Sequence, residues 1–235
     1  MRQVKHENED DSIGDAMLAL RTAMTTNNIV LLGDSVFDNA AYVGSGPDVI
    51  TQLRSILPGG WSATLAAVDG SVTGDVIKQI RGIPRAATHL IVSAGGNDAL
   101  SQAGVLQEPV RSVAEALEEL AELRHEFQRS YRRMLEALLS AAKPLAISTI
   151  YDPCYPEPRM QKVASTALNV FNDCIIREAV SEGLPVLDLR KICSETADYA
   201  NPLEPGVPGG RKIAAAILNL VQVHDFAAHR TVIYS

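Results

Sequence analysis

The sequence has few of the features that mark several classes of protein. Its 235 residues include only three cysteines, Cys154, Cys174 and Cys193. An odd count at wide, irregular spacing fits neither a disulfide framework nor a set of metal ligands, so we expect free thiols in a reducing cytoplasm. No apolar stretch reaches the roughly 18 residues of a membrane helix, and the N-terminus lacks the apolar run of a secretory signal. These absences predict a cytoplasmic protein without a membrane span.

Basic residues are also fewer than acidic ones. Lys and Arg number 21 against 28 Asp and Glu, which gives a formal net charge of −7. Proteins that bind nucleic acids or anionic membranes present basic patches, so neither partner is expected. The acidity is concentrated at residues 6–15, and we interpret residues 1–27 as an acidic N-terminal tail with room for a helix.

Short apolar runs alternate with amphipathic stretches along the rest of the chain. Continuous apolar runs of strand length are typical of parallel strands that are covered on both faces. The amphipathic stretches between them show helical spacing, and the longest ends before Pro144. The predicted strands lie within residues 28–34, 63–70, 88–98, 144–152 and 185–189, and the predicted helices within 47–57, 74–83, 110–143, 159–182 and 208–223.

This alternation predicts an α/β protein with right-handed βαβ units. We expect a flavodoxin-like three-layer α/β/α sandwich with a five-stranded parallel sheet. The domain would span residues 28–223, followed by a C-terminal tail at 224–235. Ligands of such sheets bind beyond the carboxyl ends of the strands, which directs attention to the polar residues there.

Three polar clusters follow the first three strands. The first holds Ser35, the second Gly70, and the third Asn97. Acyl transfer needs a hydroxyl nucleophile and hydrogen-bond donors directed at the developing oxyanion. Ser35, the Gly70 N–H and the Asn97 amide supply these groups. Any one cluster alone is typical of a turn, but the ordered set predicts a hydrolytic site.

These clusters resemble the sequence blocks of the SGNH (GDSL-type) esterases and lipases. The pattern is carried by LLGDSVFDN at 31–39, VDGSVTGDV at 68–76 and IVSAGGNDAL at 91–100, and it extends over about residues 28–220. The resemblance implies the SGNH hydrolase fold, Ser35 as the nucleophile, and an oxyanion hole of the Ser35 N–H, the Gly70 N–H and Asn97. Gly74 is an alternative to Gly70.

The last block of that family is an Asp and a His three residues apart, usually followed by Pro. In this chain Asp198 matches the aspartate, Pro202 matches the proline, and Asn201 stands where the histidine is expected. An amide does not accept a proton, so the usual general base is missing. We expect Asn201 to hydrogen-bond Ser35 and preserve the pocket.

Other groups remain as candidates for the base. We interpret each of the five histidines as a surface residue: His6, His89, His125, His224 and His229. Of these, His229 is the least excluded as the general base. Asp198 is a candidate weak base. Four further carboxylates could ring the pocket and raise one another's pKa, or gather a divalent cation: Asp34, Asp38, Asp98 and Glu204. Structural roles in turns and helix caps are favoured over a metal site.

Substrate contacts are predicted at the same edge of the sheet. Tyr151 and Tyr155 lie in a proline-rich loop after the fourth predicted strand, where they could contact an acyl or sugar group. Asp34 and Glu204 complete the predicted substrate-binding set. Plain loop packing is the alternative for the two tyrosines.

The sequence therefore predicts a serine esterase or deacylase that hydrolyses a small ester through Ser35, with an altered or impaired base. The alternative is a degenerate SGNH-fold protein that binds a small ester, sugar or carboxylate without turnover. A flavin-binding or nucleotide-binding protein is less favoured, because the first loop lacks a glycine-rich phosphate cradle. We expect no cofactor, a small-molecule substrate, and a chain compatible with a homo-oligomer.

Overall fold

Six parallel strands form one central sheet in the computed structural model, which describes residues 26–235. The strands are β1 (Asn28–Gly33), β2 (Ser62–Leu65), β3 (His89–Ser93), β4 (Leu145–Ser148), β5 (Val186–Leu187) and β6 (Ile233–Tyr234). Their order across the sheet is β2-β1-β3-β4-β5-β6. The predicted parallel α/β sheet is confirmed.

The sixth strand lies in the segment predicted to be a C-terminal tail. β6 has two residues and pairs in parallel with β5, with Val186 opposite Ile233. Two residues are too few to show a strand period, so the sequence pattern could not reveal this edge strand.

Seven α-helices lie within the described part of the chain. They are α1 (Val49–Ile56), α2 (Thr73–Gln79), α3 (Gly96–Ser101), α4 (Val113–Leu139), α5 (Pro158–Glu182), α6 (Leu189–Ile192) and α7 (Val207–Val223). The long α4 begins where the Ser112 side chain accepts a hydrogen bond from the Glu115 N–H. α5 starts with Pro158 at its first turn and ends at Gly183 in a left-handed conformation.

The two faces of the sheet carry separate apolar cores, which makes the molecule three-layered. Side chains of a strand alternate between faces, so β1 contributes Ile29 and Leu31 to one core and Val30 and Leu32 to the other. The first core packs against α1 and α7, and the second against α2, α4 and α5. These four apolar residues of β1 are fully buried, as their unbroken apolar run predicts.

A close backbone approach turns the chain out of the sheet at the end of β1. Gly33 has φ of +125°, and a Cβ atom there would lie 1.7 Å from the carbonyl oxygen of Ser93 on β3. The next residue, Asp34, donates its N–H to that same oxygen at 3.2 Å. Glycine alone fits this position, and the turn it permits places residues 34–35 beyond the carboxyl edge of the sheet.

The thiols and the helix lengths agree with the expectations from composition. All three cysteines are free, with Cys174 and Cys193 buried. Burial raises the pKa of Cys174 to about 11 and that of Cys193 to about 12.

Within residues 26–235, every helix is too short or too polar to cross a membrane. The cytoplasmic location stays a prediction, and the predicted tail up to residue 25 lies outside the described residues.

Candidate active site

Ser35 lies in a tight turn directly after β1. The carbonyl oxygen of Asp34 accepts hydrogen bonds from the N–H groups of Phe37 and Asp38 at 3.2 and 3.1 Å. The Asp34 side chain closes the turn, because its Oδ1 accepts from the Val36 N–H at 3.1 Å. Ser35 is 6% exposed and lines a cleft at the carboxyl edge of the sheet. The turn therefore holds the hydroxyl in a defined position.

The cleft that contains Ser35 has a polar end and an apolar body. It encloses about 1000 Å³, its open mouth included. The polar end holds Asp34, Ser35, Ser93, Asn97 and Glu204. The apolar walls come from α3 and the turn after it, from α4 and from α5: Leu100, Val105, Leu106, Leu120, Leu123, Leu168 and Phe171. Tyr151 and Tyr155 also line the cleft, so both predicted contact residues are in place.

Of the three predicted oxyanion donors, Ser35 and Asn97 line the cleft and Gly70 does not. The Asn97 side chain lines the cleft and donates one N–H to the Ser71 carbonyl at 3.0 Å, which leaves its second N–H for a ligand. Gly70 lies exposed in the turn after β2 with φ of +77° and does not line the cleft. Gly74, the alternative, is exposed in the first turn of α2. The N–H groups of Ser35 and Gly70 donate to no acceptor within residues 26–235.

Asp34 is the most strongly perturbed acid of the polar end. Burial is the largest effect and the nearby Glu204 carboxylate adds to it, whereas the hydrogen bond from the Val36 N–H opposes both. Together they raise the pKa of Asp34 to about 7. The carboxyl next to Ser35 is therefore partly protonated near neutral pH.

Asp198, predicted as a catalytic residue, lies outside the cleft. Its side chain is fully buried and forms an ion pair with Lys212, with 2.8 Å between Oδ1 and Nζ. Oδ2 accepts from the Glu195 N–H at 3.0 Å. An aspartate engaged in this way stabilises the loop before α7, which corrects its predicted place beside Ser35.

Asn201 is also elsewhere than predicted. It is exposed at the tip of a loop and does not line the cleft. Its Oδ1 accepts from the N–H groups of Leu203 and Glu204 at 2.8 and 3.0 Å. Asparagine commonly folds onto the backbone two or three residues ahead, and here it shapes the turn instead of bonding Ser35.

The polar side chain that this loop contributes to the cleft is that of Glu204. Burial raises the pKa of the Glu204 carboxyl above its ordinary value, and the nearby Ser35 hydroxyl, the smaller effect, lowers it. Its Oε2 is buried without a hydrogen-bond partner within residues 26–235. Asn201, Glu204 and Pro205 repeat the spacing of the Asp, His and Pro in the family's last block. If the family's last block is aligned three residues further along this sequence, Glu204 stands at the histidine position.

No histidine of the described chain lines the cleft. His89 begins β3 at the opposite edge of the sheet, and His125 is exposed on α4. His224 follows α7 and is buried, which corrects its predicted surface position, and its Nδ1 lies 3.0 Å from the Tyr234 hydroxyl. The exposed His229 has its backbone against Gly183, just before β5 begins. His6 lies outside the described residues.

The remaining predicted carboxylates, Asp38 and Asp98, form hydrogen bonds that connect the segments around the cleft. Asp38 Oδ2 accepts from the Asp69 N–H at 2.9 Å, which ties the turns after β1 and β2 together. Asp98 accepts from the N–H and hydroxyl of Thr73 at 3.0 and 2.7 Å, which ties α3 to the start of α2. Residues 26–235 contain no cluster of three or more acidic, His or Cys side chains able to hold a metal.

Comparisons with known proteins agree with this architecture. Residues 31–207 match the model of the GDSL-like lipase/acylhydrolase family. No curated protein sequence matches the chain. Among solved structures, the extracellular lipase of Streptomyces rimosus is 16% identical with a TM-score of 0.60, over 83% of this chain and 98% of that one.

Two further solved structures are similar to the same extent. The phospholipase A1 of Streptomyces albidoflavus NA297 is 16% identical with a TM-score of 0.58, over 84% of this chain and 99% of that one. An acetyl xylan esterase is 15% identical with a TM-score of 0.63, over 83% and 99%. These likenesses show the common fold, and the family match spans most of the sequence. The chain belongs to the GDSL-like lipase/acylhydrolase family.

Proposed function

We propose that this protein is a serine esterase that cleaves an ester with an apolar acyl group, with Ser35 as the nucleophile. The observation that carries the proposal is that Ser35 lines the same cleft as the apolar side chains of α3, α4 and α5. A carbonyl carbon bound at Ser35 would have its acyl chain along the aliphatic walls. The membership in a hydrolase family supports the reaction class.

The polar end supplies groups for the tetrahedral intermediate. The free N–H of the Asn97 amide and the unpaired N–H of Ser35 are the donors that could stabilise the oxyanion. Gly70 would join them only if a bound substrate reaches the turn after β2. Buried, preorganised donors of this kind commonly contribute about 10²–10³ in rate each.

The composition of the cleft favours a lipid-like or aliphatic acyl group over an acetyl group. Leu, Val and Phe side chains form its long wall, and an acetyl group would cover only a small part of them. Burying apolar area contributes about 25 cal/mol per Å², so each added methylene of the acyl chain should strengthen binding. The similar solved structures include a lipase, a phospholipase A1 and an acetyl xylan esterase, so the fold alone does not choose the substrate.

One observation favours a second candidate function, a binding protein without turnover. No imidazole of residues 26–235 reaches the cleft, so the described part of the chain does not supply the usual proton acceptor of a serine hydrolase. In that case the protein would bind the same apolar ester or its carboxylate product. A homo-oligomer and a small-molecule partner remain predictions from sequence.

The two functions are separated by hydrolysis of p-nitrophenyl esters of increasing acyl length. For an esterase we expect turnover by the wild type, a preference for chains longer than acetyl, and loss of turnover in Ser35→Ala. Ser181→Ala, at an exposed position near the end of α5, is the matched control and should behave as the wild type. Tight binding of a fatty acid without any Ser35-dependent hydrolysis would instead support the binding protein.

A further inference from the structure

We propose that Glu204 is the general base of this enzyme, a carboxylate that accepts the Ser35 proton in place of an imidazole. The inference rests on the proposed function and names the group that the reaction needs. It is drawn from the position of Glu204 in the cleft, from its unpartnered oxygen and from the loop that holds it.

The first observation is the shared surroundings of the two side chains. Ser35 and Glu204 both line the polar end of the cleft, and the Ser35 hydroxyl is near enough to lower the pKa of the Glu204 carboxyl. The Oε2 atom of Glu204 is buried, yet it has no partner within residues 26–235. Leaving a buried carboxylate oxygen unpaired costs free energy, so this atom is available to accept a proton or a hydrogen bond from a bound molecule.

The second observation is the rigidity of the Glu204 backbone. Its N–H donates to Asn201 Oδ1 at 3.0 Å, and its carbonyl accepts from the Ala200 N–H at 2.9 Å. An antiparallel bridge between Tyr199 and Pro205 closes the same loop. Both backbone groups of Glu204 are therefore engaged, which leaves its side chain to point from a defined site.

The same loop is attached to the rest of the cleft on both sides of Glu204. The Tyr151 hydroxyl donates to the Leu203 carbonyl at 2.5 Å. The Asn39 side chain, from the loop after Ser35, donates to the Pro205 carbonyl at 2.9 Å. These bonds link the segment carrying the base to the segment carrying the nucleophile. Such preorganisation is what proton transfer between two fixed groups requires.

The electrostatic surroundings make Glu204 a stronger base than an exposed glutamate. Burial and the negative charge of Asp69 raise its pKa, and contact with the Ser35 hydroxyl partly offsets this. The titratable groups that face it are the carboxyls of Asp34 and Asp69 and the hydroxyls of Tyr42 and Tyr151. With no cation among these groups, the carboxylate holds a proton more strongly than usual.

The reaction balances with Glu204 alone as the proton carrier. Ser35 Oγ forms a bond to the ester carbonyl carbon while its proton passes to the Glu204 carboxylate. The tetrahedral intermediate collapses, the bond to the alkoxy oxygen breaks, and the proton moves from Glu204 to the leaving alcohol. Water then attacks the carbonyl carbon of the acyl-Ser35 ester and gives one proton to Glu204. The bond from that carbon to Ser35 Oγ breaks, the proton returns from Glu204 to Oγ, and the acid leaves.

The principal test compares Glu204→Gln with the wild type on the preferred p-nitrophenyl ester. Loss of a general base typically lowers the rate about 10²–10⁴-fold, and we expect this drop in kcat with little change in KM. The amide keeps the shape of the side chain, so the melting temperature should remain close to that of the wild type. Glu126→Gln, the same exchange at an exposed position of α4, is the matched control and should leave kcat unchanged.

The pH profile identifies which carboxyl acts. In the wild type, kcat/KM should rise with pH as a single carboxyl ionises above the ordinary value of 4.5 for a glutamate. This ascending limb should disappear in Glu204→Gln and persist in Asp34→Asn. A limb that persists in Glu204→Gln but disappears in Asp34→Asn would overturn the proposal and assign the base to Asp34.

A covalent probe keeps failure of the base distinct from failure of the esterase. A fluorophosphonate reacts with an activated serine, with a bond forming from Oγ to phosphorus as fluoride leaves, and mass spectrometry locates the label. We expect labelling at Ser35 to be at least tenfold slower in Glu204→Gln. If wild type and Ser35→Ala are equally inactive on all esters, the proposed function fails. Labelling at equal rates in wild type and Glu204→Gln overturns the role of Glu204, whatever the ester assay shows.

Discussion

Asn39 joins the loop after Ser35 to the loop of Glu204, and its replacement by alanine should cost both stability and activity. The side chain is fully buried. Its Nδ2 donates to the Pro205 carbonyl at 2.9 Å, and its Oδ1 accepts from the Val49 N–H, also at 2.9 Å. Val49 is the first residue of α1, so its N–H has no partner within the helix.

The expected loss of stability follows from the two groups left behind. Alanine would leave a buried N–H and a buried carbonyl unpaired, and each such group costs about 1–3 kcal/mol. Water entering the space of the amide recovers part of this, so we expect a loss of about 3 kcal/mol in the free energy of unfolding. For a chain of this size that corresponds to a decrease of about 6–12 °C in Tm.

The assay is urea unfolding followed by far-UV circular dichroism, with ester hydrolysis measured well below the Tm. Because a displacement of the Pro205 loop moves Glu204 away from Ser35, kcat should fall at least about tenfold even in the folded variant. Asn219→Ala, at an exposed position within α7, is the matched control. It should be neutral or stabilise by up to about 0.7 kcal/mol, since alanine favours a helix.

Two results would refute this reasoning. A loss below about 0.5 kcal/mol in Asn39→Ala would mean that the two bonds contribute no net stability, as for an ordinary surface substitution. A destabilised variant with unchanged kcat at 25 °C would mean that the link through Pro205 does not position Glu204.

Three further outcomes test the fold and the cleft. Gly33→Ala should destabilise the protein by more than about 3 kcal/mol in thermal unfolding, because φ is positive there and the new Cβ would lie 1.7 Å from the Ser93 carbonyl oxygen. A soluble variant with an unchanged Tm would contradict this prediction. Glu178→Gln should lose about 1–2 kcal/mol, because it breaks the two-point ion pair with Arg132, 2.7 Å between Oε1 and Nη2. Arg132 holds the pKa of Glu178 below 4.5. The difference in the free energy of unfolding between wild type and Glu178→Gln should therefore be complete above pH 4.5 and vanish as the pH falls through the lowered pKa. Urea unfolding at a series of pH values across this range measures this difference. Ala167→Trp should fill the apolar body of the cleft and shift the preferred p-nitrophenyl ester towards acetyl, and an unchanged chain-length profile would show that the acyl group binds elsewhere.

The general plan of the fold could be predicted because it depends on local patterns. The buried run of residues 29–32 and the start of α5 at Pro158 and its end at Gly183 follow from hydrophobicity and backbone preference, which each segment carries by itself. β6 could not be predicted, since its two residues become a strand only by pairing with β5. Membership in the GDSL family was also visible in the sequence, because the block around Ser35 is contiguous.

The candidate site could be predicted only in part. Asp34, Ser35 and Asn97 follow strand ends, and parallel strands bring such residues to one edge. The loop before α7 misled the comparison, since Asp198 and Pro202 have the residue types and spacing of the last block. Asp198 nevertheless engages Lys212, and Asn201 engages the loop backbone.

The sequence by itself determined that this chain forms a parallel α/β domain of the GDSL family with a serine at the end of its first strand. Only the tertiary structure decided which polar residue of the last loop lines the cleft with that serine. A loop is positioned by bonds to distant segments, here from Asn39 to Pro205 and from Tyr151 to Leu203, and no local pattern encodes them. These contacts place Glu204 in the cleft that Ser35 lines and leave Asn201 in solvent.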